Sequence, residues 1–81
     1  MSEKQIVLTE KGSIVLKAMQ DNKIDSIESA EFSKGIAEIA FMLPSSVPGV
    51  MLSLGRLGLV EKTEDSPKKY FLTESGKNFS L

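Results

Sequence analysis

The chain has 81 residues, which suffices for one domain with one modest core. Its hydrophobic fraction of 41% and charged fraction of 26% are ordinary for a globular protein, and its net charge of −1 gives no overall basic excess. Because cysteine and histidine are both absent, the sequence excludes disulfides, thiolate or imidazole metal sites and histidine-based catalysis. We therefore expect a protein that is not an enzyme and that uses no metal and no cofactor.

The chain starts with a polar segment, and residues 1–7 are predicted to be an N-terminal tail or a short strand of a single domain over residues 1–81. This start does not have the pattern of a signal peptide, and no apolar run is long enough to cross a bilayer. We expect a cytoplasmic protein that has no membrane partner.

The first helix is predicted to begin at Thr9, because a threonine hydroxyl can accept a hydrogen bond from a free N–H of the first turn. It ends near Asp21 and Asn22. One apolar stripe indicates the side that faces the core: Gly12, Val15, Leu16 and Met19.

The next segment, residues 24–27, is either a brief strand or a turn. Asp25 and Glu28 have the spacing of a capping box, and Ser29 and Ser33 are alternative caps for the second helix. That helix is predicted to run to about residue 41 with one apolar face, made of Phe32, Ile36, Ile39 and Ala40.

The third helix follows a turn that contains Pro44. Ser45 or Ser46 can cap it, and Pro48 is tolerated because it falls in the first helical turn. Its apolar stripe is the strongest in the sequence: Val47, Val50, Met51, Leu54 and Leu57.

Gly58 is placed to end the third helix, and a β-hairpin is predicted after it. The strands are residues 59–62 and 69–72, joined by a polar loop over residues 63–68. Thr73 then opens a short last helix.

The string Leu-Thr-Glu-x-Gly occurs at residues 8–12 and again at residues 72–76. The two copies are 64 residues apart, and nothing between them repeats. We interpret them as two helix caps of the same type and not as a structural repeat.

Two patterns in the second half are typical of one family of folds: Leu54, Gly58, Leu59 and Val60 at the end of the third helix, and Leu72, Thr73 and Gly76 after the hairpin. With these patterns, residues 8–79 resemble the winged helix domains of MarR- and PadR-type bacterial transcriptional regulators. The resemblance implies an α+β fold, a three-helix winged helix-turn-helix. Its C-terminal wing would be an antiparallel sheet of two or three strands, followed by a short terminal helix.

The resemblance also implies a function. It predicts a DNA-binding protein, either a transcriptional regulator or an accessory factor, whose third helix enters the major groove while the wing contacts the DNA backbone. The outward side of the third helix also carries Pro48 and Leu52. The predicted DNA-binding residues are Ser45, Ser46, Gly49, Ser53 and Arg56 on the third helix and Lys62, Lys68 and Lys69 on the wing.

The outward face departs from the family pattern, because Arg56 is its only side chain of the type that forms bidentate bonds with a base. Acidic residues near the wing lysines would repel phosphate: Glu61, Glu64 and Asp65. Leu52, if exposed, could contact a thymine methyl or mark a protein interface; otherwise it packs under the wing.

The alternative function is a winged helix module for protein–protein interaction without sequence-specific DNA binding. The candidate partners are therefore double-stranded DNA, another protein, or a second copy in a homodimer. Relatives dimerise through long helices, and we expect any homodimer of this chain to form in another way.

Overall fold

The computed structural model describes residues 8–64 and 67–81, so the tail or strand predicted for residues 1–7 lies outside the described residues. Short 3₁₀ turns, Ile27–Ser29 and Pro44–Ser46, precede the second and third helices. The elements in chain order are α1 (Glu10–Asp21), β1 (Glu31–Phe32), α2 (Ser33–Ala40), α3 (Val47–Arg56), β2 (Val60–Lys62), β3 (Lys69–Leu72) and α4 (Glu74–Lys77).

The two Leu-Thr-Glu-x-Gly strings form the same cap, as predicted. At the start of α1 the Gly12 amide donates to Thr9 Oγ1 at 3.0 Å, and at the start of α4 the Gly76 amide donates to Thr73 Oγ1 at 3.1 Å. Thr73 Oγ1 also donates to the Gly58 carbonyl at 2.6 Å, which ties α4 to the entry of the hairpin.

The core lies where α1, α2 and α3 pack together against one face of the sheet. The predicted stripe of α3 is confirmed at Val47, Met51 and Leu54, which are buried, but Leu57 is largely outside the core. Helix α3 ends at Arg56, and Gly58 turns the chain with a φ of 78°, so Leu59 takes the buried place. The largest fully buried side chains are Leu16, Met19, Ile36, Leu54, Leu59, Leu72, Val15 and Val47.

The sheet has three antiparallel strands in the order β1-β3-β2, so β3 is central. Val60 pairs with Leu72, and Lys62 pairs with Tyr70. The hairpin continues one pair further, because the Thr63 amide donates to the Lys69 carbonyl at 2.9 Å. The wing is therefore the three-stranded form of the predicted fold.

Phe32 corrects the predicted second helix. It belongs to β1, where it pairs with Lys69, and α2 begins one residue later at Ser33. Its ring is partly exposed and lies 5.0 Å from Lys69 Nζ. Phe32 has the helical spacing to Ile36 that suggested a helix. Pairing with a distant strand instead holds the residue in an extended conformation.

Two further cap predictions are wrong. The capping box before β1 joins Ser26 and Ser29, not the predicted Asp25 and Glu28. At the start of α3, Ser46 makes no capping bond with its side chain. The 3₁₀ turn leads directly into α3, and the Pro44 carbonyl accepts from the backbone N–H that follows the turn, so a side-chain cap is not needed there.

The chain turns by 111° between α2 and the segment Pro44–Arg56, an angle that helix-turn-helix units commonly have. Phe41 makes the turn possible with a left-handed φ of 57°, and its side chain is 94% exposed. In residues 8–64 and 67–81, no single helix is long and apolar enough to cross a bilayer. Among the described residues, α2 and the segment Pro44–Arg56 taken together are long and apolar enough, but they are sharply bent, and the criterion considers length and composition alone.

Candidate nucleic-acid interface

One side of α3 is open to solvent because the opposite side supplies the core. Val47, Met51 and Leu54 point inward and Val50 is partly buried beside them, so the remaining side of the helix faces out. Ser46 is half-buried at the beginning of the helix. The exposed residues of this outer face are Ser45, Pro48, Gly49, Leu52, Ser53, Gly55 and Arg56.

A groove of about 440 Å³ separates α3 from the wing, and we call it the wing groove. Leu52 and Arg56 line it from the helix, while Val60, Lys62 and Tyr70 line it from the sheet. The structure therefore brings together two predicted cations from different elements, Arg56 and Lys62, around a partly apolar cleft.

A second groove, of about 470 Å³, lies on the other flank of α3 beside the start of α1, and we call it the α1 groove. Gly49 and Ser53 line it from α3, Ser46 lines it from the 3₁₀ turn before α3, and Lys11 faces them from α1. The residues predicted on the third helix are thus divided: Ser46, Gly49 and Ser53 lie toward α1, and Arg56 lies toward the wing. Ser45 lines neither groove and belongs, like Ser46, to the 3₁₀ turn before α3.

The wing lysines do not share one direction. Lys62 and Lys68 are exposed, whereas Lys69 is partly buried with its ammonium group over the ring of Phe32. Successive residues of a strand point to opposite faces, so Lys69 faces away from the side on which Tyr70 lines the wing groove. The geometry joins Lys62 with Arg56 and leaves Lys69 on the other side of the sheet.

The cations of the wing groove are not neutralised by close carboxylates. Within the described ranges, the one ion pair is between Lys17 and Asp21, at 3.5 Å on the surface of α1. Glu61 also contributes to the lining of the wing groove, but it pairs with Phe71, so alternation directs its side chain to the face opposite Lys62. No group of acidic side chains that could hold a metal ion occurs in the part of the chain that the structure describes.

Tyr70 and Lys11 are among the groove-lining residues that were not predicted from the sequence to belong to the site. Tyr70 could have been found, because alternation along β3 places it on the same face as the buried Leu72. Lys11 left no such signal, because only the packing of α1 against α3 brings it near Ser53.

Comparison with solved structures finds the same fold in two bacterial proteins. A MarR family transcriptional regulator from Silicibacter pomeroyi DSS-3 aligns with a TM-score of 0.65 and 24% identity, over 83% of this chain and 45% of that chain. MepR, a transcription regulator of the Staphylococcus aureus multidrug efflux pump MepA, aligns with a TM-score of 0.68 and 19% identity, over 86% of this chain and 50% of that one. No protein-family model and no curated protein matches this sequence.

These likenesses confirm the predicted winged helix fold and its resemblance to MarR-type regulators. The chain spans about half the length of each of these solved structures.

Proposed function

We propose that this chain is a DNA-binding winged helix domain that acts as a transcriptional regulator or as an accessory DNA-binding factor, by binding and without catalysis. The observation that carries the proposal is the exposed face of α3 beside the wing, with Arg56 and Lys62 on one groove. The two solved proteins of the same fold are both transcription regulators, which supports the proposal.

In the proposed complex, the outer face of α3 enters the major groove, which is wide enough for one helix. Arg56 extends from the last turn of α3 toward a guanine edge or a phosphate. Ser45, Gly49 and Ser53 lie along the same face, where hydroxyl groups and a bare backbone can approach the DNA. Lys62 and Lys68 then contact phosphates from the wing.

So few cations predict weak binding that depends strongly on salt. With at most about three phosphate contacts on duplex DNA, from Arg56, Lys62 and Lys68, the logarithm of the binding constant should fall with the logarithm of salt concentration with a slope of about −2.7. Fluorescence anisotropy of a labelled generic duplex, titrated at several salt concentrations, measures this slope. Absence of binding at low salt would rule the proposal out.

Single variants test the assignment of the cations. We expect Arg56→Ala and Lys62→Ala each to weaken binding and to reduce the magnitude of the salt slope by about one if the lost contact was to a phosphate. Lys77→Ala is the matched control, because it removes one positive charge from α4, outside both grooves. An equal effect of all three variants would argue against a site at α3 and the wing.

A further inference from the structure

Helix α3 contains two glycines that packing does not require. A Cβ on Gly49 would meet no atom within 4 Å, and one on Gly55 would meet only the Val60 carbonyl oxygen, at 3.9 Å. Both residues are exposed inside a helix, where alanine would be the more stable choice. Glycine at these positions therefore lowers the stability of the helix, a choice that is expected where a ligand approaches the backbone closely.

Leu52 lies midway between these glycines, three residues from each, and is 56% exposed. The positions three residues before and after it on the helix surface therefore carry no side chain. Pro48 precedes it by four residues and Arg56 follows it by four, so the three side chains form one row along the outer face. An exposed leucine in the middle of such a row is the most prominent apolar group that α3 presents.

Leucine can form no hydrogen bond with a base edge, so in a DNA groove it needs an apolar contact. In the major groove the base pairs present hydrogen-bond donors and acceptors and one apolar group, the 5-methyl group of thymine. We propose that Leu52 reads this methyl group, an inference that rests on the proposed DNA-binding function. The bare backbone at Gly49 and Gly55 lets α3 approach closely enough for the contact.

The row of side chains also sets a spacing. Arg56 is four residues from Leu52, a rise of about 6 Å along the helix, which corresponds to about two base-pair steps. The thymine read by Leu52 should therefore lie about two base pairs from the nucleotide that Arg56 contacts. The preferred site is expected to combine a thymine with a nearby guanine.

The test begins with selection of bound sequences from a pool of random duplexes at low salt. Each thymine of an enriched site is then replaced by deoxyuridine, which lacks only the methyl group. For at least one position we expect an affinity loss of about fourfold, the effect of one buried methyl group. In the Leu52→Ala variant, the thymine and deoxyuridine duplexes should bind equally.

Leu81→Ala is the matched control, because Leu81 is 57% exposed but lies at the end of the chain, outside both grooves. This variant should keep the fourfold discrimination of the parent. Thermal unfolding of Leu52→Ala should match that of the parent, since the side chain is not part of the core.

The outcomes separate the inference from the proposed function. Binding without enrichment of any sequence, no loss on deoxyuridine replacement, or a loss that persists in Leu52→Ala would each overturn the reading of thymine by Leu52 while leaving DNA binding in place. A chain that binds no duplex at low salt would overturn both, and the exposed leucine would then belong to a protein interface.

Discussion

Gly12 and Gly76 hold the same position in the two copies of the Leu-Thr-Glu-x-Gly string, but packing requires only one of them to be glycine. A Cβ on Gly76 would collide with the Leu59 carbonyl oxygen at the entry of the hairpin. A Cβ on Gly12 would lie 3.2 Å from Thr9 Oγ1 and 3.6 Å from a methyl group of Leu54. The sequence pattern therefore identifies both caps. It does not show that only Gly76 lies against another stretch of backbone, at Leu59.

We therefore expect Gly76→Ala to lower the free energy of unfolding by about 2 kcal/mol or more, because backbone must move to admit the methyl group. Gly12→Ala should stay within about 1 kcal/mol of the parent, since the gain in helix propensity offsets the tight contact with the cap. Urea denaturation of both variants measures the difference. Equal destabilisation by the two substitutions would contradict this assignment.

At the scale of elements, α4 depends on its neighbours, because a helix of four residues is not stable alone. Besides the Thr73 cap, it is held by the side chain of Gln20 on α1. Gln20 Nε2 donates to the Gly76 carbonyl and to the Phe79 carbonyl, both at 2.9 Å. One amide thus connects α1 both to α4 and to Phe79, two residues beyond the end of α4.

Gln20→Ala should lower the free energy of unfolding by about 1–3 kcal/mol, because it removes two hydrogen bonds and leaves the Phe79 carbonyl without its donor. Amide exchange at Lys77 and Asn78 should accelerate more than exchange in α1, as NMR can resolve. Asn22→Ala is the control: its side chain donates to the Ala18 carbonyl within α1, so its loss should leave α4 unaffected. Unchanged exchange in α4 of Gln20→Ala would show that the packing of α4 alone holds it.

The elements that could be predicted are those that local chemistry defines. Thr9, Thr73 and Gly58 mark helix ends through bonds or dihedral angles within a few residues, and the stripe of α3 repeats regularly. Strand β1 could not be predicted, because it has two residues and exists through pairing with β3, nearly forty residues later. Phe32 was therefore assigned to the wrong element although its neighbours in α2 were assigned correctly.

At the scale of the whole molecule, the residues that face outward from α3 were predictable from helical periodicity, but their division between two grooves was not. The packing of α1 and of the wing decides this division. Ser53 lies toward Lys11 on α1, and Arg56 lies toward Lys62 on the wing. The same holds for the direction of Lys69, which required the register of β3. The roles of these residues in binding DNA remain predictions.

The net charge of −1 means that the molecule as a whole does not attract DNA, so binding depends on the few charges near α3. Glu61 is one of them: it neighbours Lys62 on β2 and contributes to the lining of the wing groove, although alternation directs its side chain to the opposite face of the sheet. A phosphate bound by Lys62 would still lie within about one Debye length of this carboxylate, roughly 10 Å at 0.1 M salt, so the repulsion acts at low salt. Glu61 should therefore limit the affinity of the proposed complex.

We expect Glu61→Gln to raise affinity for duplex DNA by about two- to fivefold at low salt, with the gain shrinking as salt screens the repulsion. Glu28→Gln changes the net charge equally but lies in the 3₁₀ turn before β1 and lines neither groove, so its gain should be smaller. Anisotropy titrations of both variants at low and moderate salt compare them directly. If both gained equally, net charge alone would control binding, and the placement of the DNA beside the wing groove would be wrong.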